Sequence, residues 1–151
     1  MEFRHRRTSD LARPADAAWA AATSLMGIES ELPLGLRLRT EPPVLTLAEL
    51  LAVDRAVVAT LRLGPVRVVR WTLRIEHLDV AGRSFVEASS DMRPFSAWRH
   101  ERRVVATGPG SCRVEDTVSG ASRLPFAGVA VGWLFAARHR RLRRSGATPR
   151  S

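Results

Sequence analysis

Three titratable residues in the second half of this 151-residue chain have types and spacing that invite chemistry: His100, Arg102 and Asp116. An arginine held by an aspartate can present its remaining N–H donors to a carboxylate or carbonyl, and a nearby histidine can donate, or accept a proton near neutral pH. They converge only if the chain between them is a hairpin. Ser96 to Thr107 and Ser111 to Ser119 both read as strands, and Gly108-Pro109-Gly110 supplies the turn. A three-residue loop pairs Val104 with Val114, Arg102 with Asp116 and His100 with Val118, which keeps the apolar residues on one face. A two-residue loop would set apolar residues opposite outward charges. The expected register therefore places His100, Arg102 and Asp116 on the inner face. Two readings follow: a structural ion pair closing one end of the sheet, or a ligand-recognition group.

The elements that would position these residues can be read along the chain. Met1 to Asp10 alternates like a first strand. Pro14 opens a short helix over Ala15 to Ser24, with Ser9 or Asp10 as upstream caps and Trp19 as its anchor. Gly27 to Gly35 reads as a broken second helix or a turn, and Val44 to Asp54, after Pro42-Pro43, is open between strand, short helix and loop. Three strands then follow in Ala56 to Leu63, Val66 to Asp79 and Arg83 to Asp91, with turns at Leu63-Gly64-Pro65 and Val80-Ala81-Gly82. In the middle strand Val69, Trp71, Leu73 and Ile75 share the covered face, which needs a lid. Leu124 to Arg144 supplies it as one helix of about 20 residues, with Phe126, Val129, Ala130, Trp133, Ala137 and Arg141 expected on the inner stripe. Gly128 and Gly132 on that helix read as points of close approach to the sheet. Trp71, Leu73, Phe85, Trp98, Val118, Phe126 and Trp133 would line the space between sheet and helix, as plain core or as the walls of an apolar pocket. Glu87 and Asp91 are expected to face solvent or pair with arginine, and His77 and His139 have no spaced partners.

Composition limits the alternatives. One chain of 16.7 kDa with 45% apolar and 26% charged residues has the mix of a folded domain. The expected organisation is one domain over 1–144 and a basic, flexible tail over 145–151. A lone cysteine, Cys112, makes neither an intramolecular disulfide nor a thiolate zinc site, and four scattered histidines form no metal motif, so no metal or other cofactor is expected. The N-terminus lacks the apolar core of a secretory signal, and the longest apolar stretch, Leu124 to Ala137, is shorter than the ~20 residues of a membrane span. A cytoplasmic location is the default. The formal charge of +9 comes entirely from arginine, with no lysine in the chain. Five arginines, Arg138, Arg140, Arg141, Arg143 and Arg144, cluster near the end of the last helix, where cations suit the helix dipole. Transient contact with an anionic membrane would suit them. Nucleic-acid binding is disfavoured because no recognition module accompanies the cluster.

The order of strand, two short helices, antiparallel strands and long C-terminal helix resembles the α+β helix-grip fold of the START-like (SRPBCC) superfamily. That superfamily includes polyketide cyclase/dehydrase and lipid-transport proteins. The likeness extends to Phe85-Val86-Glu87, Arg93-Pro94-Phe95, Trp98-Arg99-His100-Glu101-Arg102, Val114-Glu115-Asp116, and Trp133-Leu134-Phe135 with Arg138-His139, which resemble a bacterial branch. Arg93 stands where glycine is usual and Arg102 where histidine is common. The resemblance implies a curved sheet of six to seven strands wrapped around the last helix, with a cavity for a hydrophobic or amphipathic molecule between them. A second expectation is a cyclase- or dehydratase-type enzyme acting on a polyketide-like substrate, with His100 as base and Arg102 stabilising an enolate oxygen.

Overall fold

The computed structural model describes residues 1–146. Alternating side chains make β1 (Glu2–Leu11) an edge strand, followed by α1 (Ala15–Ala22) and α2 (Leu25–Glu31). Next come β2 (Arg37–Glu41), α3 (Leu47–Ala52), β3 (Val57–Leu63), β4 (Val66–Leu73), β5 (Ile75–Asp79) and β6 (Ser84–Ser89). The chain ends in the long hairpin β7 (Phe95–Gly108) and β8 (Ser111–Ser122) and the helix α4 (Ala127–Ser145). The expected single sheet is two antiparallel sheets with eight strands among the described residues: a five-stranded one in the order β1-β8-β7-β6-β5 and a three-stranded one in the order β2-β3-β4. Five residues of the expected tail, 147–151, lie outside the described residues.

The split falls at Arg74, inside the stretch expected to be one strand. Leu73 ends the ladder with β3, where it pairs with Val57, and Ile75 begins the ladder with β6, where it pairs with Glu87. A single extended segment thus serves two sheets because its hydrogen-bonding partner changes, while its apolar face of Val69, Trp71, Leu73 and Ile75 stays continuous. Val44 to Asp54, left open by the sequence, supplies α3, and β2 precedes it. Thr46 caps α3 by accepting from Glu49 N in the first turn, while Glu49 reaches back to accept from Leu45 N just before the cap.

The β7–β8 register is the expected one: Val104 opposes Val114, Arg102 opposes Asp116 and His100 opposes Val118. The expected caps of α1 are elsewhere. Ser9 is buried against α4, and Asp10 pairs across the strands with Arg113 at 2.8 Å. Helix α4 lies against β1 through its two glycines. A Cβ on Gly128 would come within 2.8 Å of Phe3 Cβ, and one on Gly132 within 2.9 Å of the His5 ring, so only glycine allows this separation.

Two apolar clusters form the core. The larger joins α1, α3 and the sheet through Trp19, Leu47, Leu50, Val57, Phe85, Val104 and Val114. The smaller sets Val131 and Phe135 of α4 on Val118, flanked by Phe3, Phe95 and Trp98.

Candidate functional site

Four charged side chains form a closed network at the end of the sheet covered by α2 and α4. Arg102 is almost fully buried and uses every nitrogen of its guanidinium. Nε and Nη2 donate to Asp116 at 2.8 and 2.7 Å, while Nη1 and Nη2 donate to Glu31 at 2.6 and 2.9 Å. Glu31, the last residue of α2, also accepts from Arg138 Nη2 at 2.8 Å and Nε at 3.2 Å. Two guanidinium groups thus face two carboxylates, Arg102 in paired fork geometry on both and Arg138 with two N–H groups on one Glu31 oxygen.

Burial alone would discharge Arg102, Asp116 and Glu31, yet the neighbours prevail. The Asp116 and Glu31 carboxylates hold Arg102 well above its ordinary pKa against its desolvation. Asp116 sits well below the usual carboxylate range because the charge and hydrogen bonds of Arg102, aided by His100, outweigh burial. Glu31 is lowered by Arg102 and Arg138 in the same way.

Two histidines complete the network. His139 Nε2 donates to Asp116 Oδ2 at 2.8 Å, and its Nδ1 lies 2.8 Å from Ser9 Oγ, which in turn accepts from Arg143 Nη1 at 3.0 Å. A hydrogen-bond chain therefore runs Arg143, Ser9, His139, Asp116. His100 Nε2 donates to Asp116 Oδ1 at 2.9 Å, and its Nδ1 faces Glu87 Oε2 at 3.9 Å. Glu87 Oε1 accepts from Trp71 Nε1 at 2.9 Å, linking β6 to the end of β4.

Beside this network lies a cavity of about 300 Å³ between the sheets, α2 and α4. Its walls are apolar, from Leu25, Ile28 and Leu32 of the α2 region to Leu61, Val69 and Leu73 of the small sheet and Leu134 and Phe135 of α4. Its charged or titratable lining residues are Glu87, His100 and Arg138.

The expected site residues divide accordingly. Trp71, Leu73, Phe85, Trp98 and His100 line the cavity. Arg102 and Asp116 do not: they are sealed behind it, and with every Arg102 nitrogen occupied the role of enolate stabiliser is withdrawn from it. Val118 is buried under Val131 and Phe135. Phe126 and Trp133 are corrected outright, being 77% and 49% exposed. Helix α4 is rotated from the expected orientation: Ala127, Val131, Phe135, Arg138, His139 and Leu142 face inward, while Phe126, Val129 and Trp133 face out. Arg138 is a member of the buried network and leaves the proposed basic surface, whereas Arg140, Arg141, Arg143 and Arg144 stay exposed. Glu87 and His139, expected to be solvated and partnerless, are cavity and network residues. Asp91 is exposed and accepts from the backbone and hydroxyl of Thr72.

Glu31 had no role in the sequence reading. Its only signal was position, the last acid before Pro33 at the end of an uncertain helix. No local pattern announces that a segment 71 residues away will bury an arginine against it. Among the described residues no group of three or more His, Cys, Asp or Glu side chains is arranged to hold a metal ion. Among them, too, no helix is long and apolar enough to cross a membrane.

A curved antiparallel sheet gripping a C-terminal helix, with an apolar cavity between, is the helix-grip fold of START-like proteins. The chain belongs to the family described as Domain of unknown function (DUF8410), whose model matches residues 9–145. Solved structures share the fold at low sequence identity. The Zhui aromatase/cyclase of a Streptomyces species is 16% identical, with a TM-score of 0.61 over 98% of this chain and 100% of that one. A START superfamily protein from Mycobacterium smegmatis is 12% identical, with a TM-score of 0.59 over 92% and 90%. Protein XoxI from Bacillus cereus is 12% identical, with a TM-score of 0.70 over 95% of each chain. No curated protein matches the sequence.

Proposed function

We propose that this protein binds a hydrophobic or amphipathic small molecule of lipid- or polyketide-like character in the cavity between its sheets and α4. The observation that carries this reading is the cavity itself: about 300 Å³ of apolar wall with titratable groups only at Glu87, His100 and Arg138. Ligand sites have that composition and begin at that size. The aromatase/cyclase among the similar folds lends support to a polyketide-like ligand.

Binding is preferred to catalysis because the base and the oxyanion donor expected from the sequence do not meet. His100 lines the cavity, oriented by Asp116, but Arg102 is 1% exposed, lies behind the cavity wall and gives four of its five N–H groups to Asp116 and Glu31.

The test uses a hydrocarbon fluorophore, diphenylhexatriene, together with native mass spectrometry of protein purified from its own host. The wild type is expected to enhance the fluorescence and to carry a co-purified molecule. Leu134→Arg, which pushes a charge into the cavity from a partly buried helix position, is expected to abolish both. No enhancement and no co-purified mass would remove the reading.

The outward stripe of α4 favours transient docking to an anionic membrane surface for ligand exchange. Phe126, Val129 and Trp133 occupy its first half, and exposed Arg140 and Arg144 continue the same stripe. Aromatic side chains suit the headgroup region, and each arginine adds roughly 1 kcal/mol near a negative surface. Co-sedimentation with phosphatidylglycerol-containing vesicles should fall as salt rises and drop several-fold in Trp133→Ala/Arg140→Glu. Equal retention on pure phosphatidylcholine, or indifference to salt, would defeat the idea.

A further inference from the structure

The polar end of the cavity holds a carboxylate that no arginine pairs with among the described residues. In the buried network the guanidinium groups of Arg102 and Arg138 are matched one for one by the carboxylates of Glu31 and Asp116. Glu87 is outside this balance. It is the remaining carboxylate on the cavity wall, with its side chain 13% exposed, and one of its oxygens is anchored by Trp71 Nε1. Its other oxygen, Oε2, has no hydrogen-bond partner among the described residues, and neither has His100 Nδ1, 3.9 Å away. That separation is too long for a hydrogen bond.

With Nε2 donating to Asp116, the Nε2–H tautomer of His100 turns the lone pair of Nδ1 toward Oε2. Oε2 and Nδ1 are then two acceptors whose spacing is bridged by one donor atom about 2.9 Å from each, subtending roughly 85° at that atom. One atom that donates two hydrogens and carries positive charge meets both conditions; a hydroxyl, with one hydrogen, meets only one. We infer that the ligand is an amphipathic amine, an apolar body filling the cavity with an ammonium group seated between Glu87 Oε2 and His100 Nδ1. This rests on the ligand-binding reading above and specifies its chemical class. The competing group is Arg138, whose Nη1 is uncommitted among the described residues and would instead favour a carboxylate head; its tie to Glu31 through Nε and Nη2 already neutralises it.

The test compares three probes that share one apolar body: 4-phenylbutylamine, 4-phenylbutan-1-ol and 4-phenylbutyric acid, titrated calorimetrically into the full chain at neutral pH. The amine is expected to bind at least about tenfold more tightly than the alcohol, as a charge-assisted bond in a dry site would give. In Glu87→Gln that preference should disappear while diphenylhexatriene still binds, which also shows that the variant is folded. Should that variant fail to fold, Trp71→Phe releases the anchored oxygen and should shrink the preference several-fold. An amine that binds no better than the alcohol overturns the inference. So does a preference that survives Glu87→Gln, a preference for the acid, or no binding by any of the three, each while diphenylhexatriene binding leaves the cavity reading intact.

Discussion

Arg102→Ala is expected to remove most of the stability of the fold. The side chain is 1% exposed and its loss leaves Asp116 and Glu31 buried without their shared counter-charge. Breaking a buried pair by removing one partner costs about 3–5 kcal/mol, and here one side chain serves two carboxylates, against a total of about 5–15 kcal/mol for a domain. Arg102→Lys should recover little, because an ammonium cannot fork to two carboxylates at once. Urea unfolding curves provide the measurement, read at constant m-value. The same network sets the acid limit. Asp116 and Glu31 both have folded pKa values below their unfolded ones, so their contribution is complete above about pH 4 to 4.5, the unfolded range, and is lost as pH falls through the depressed folded values. Arg102→Ala should therefore also begin acid unfolding at a higher pH than the wild type. A loss below about 1 kcal/mol with an unchanged acid transition would mean that the network contributes nothing.

What could be read from the sequence, and what could not, follows from the range of the interactions involved. The β7–β8 register was legible because a glycine turn and one-face burial constrain it jointly: any one-residue slip would set Val104 and Val114 on opposite faces and put one of them in water. That register alone brought Arg102 onto Asp116 and His100 beside them. The pairing of Trp71 with Glu87 was not legible, since Glu87 reads as an ordinary strand charge until the small sheet folds over β6. Glu31 failed for the same reason. Both are carboxylates whose burial depends on a partner delivered by a distant element, and hydrophobic periodicity carries no information about such partners. The break at Arg74 was hidden because the apolar alternation runs through it unchanged; only the identity of the neighbouring strand changes.

The last helix is where a simple rule misled, and it supports the sharpest contrast in mutational effect. Two stripes of α4 compete for the interior: Phe126, Val129 and Trp133 against Ala127, Val131 and Phe135. Side-chain size favours the first, which carries two large aromatic residues to one, while the second continues into Arg138 and His139, which a helix does not ordinarily bury. The second is nevertheless inside, because Glu31 and Asp116 await those two side chains and because Gly128 and Gly132 let that face approach β1. Phe135 then packs edge-on to His100, with ring centroids 5.0 Å apart, and beneath the Arg138 guanidinium at 4.9 Å. Phe135→Ala is accordingly expected to destabilise the protein by about 3–5 kcal/mol and, by opening the wall beside His100, to weaken diphenylhexatriene binding. Trp133→Ala, one of the largest truncations available in the chain, should change stability by no more than about 0.5 kcal/mol. Thermal unfolding of the two variants side by side decides the matter. Equal losses, or a larger loss for Trp133→Ala, would place the helix in the other rotation and expel Arg138 and His139 from the network that their burial requires.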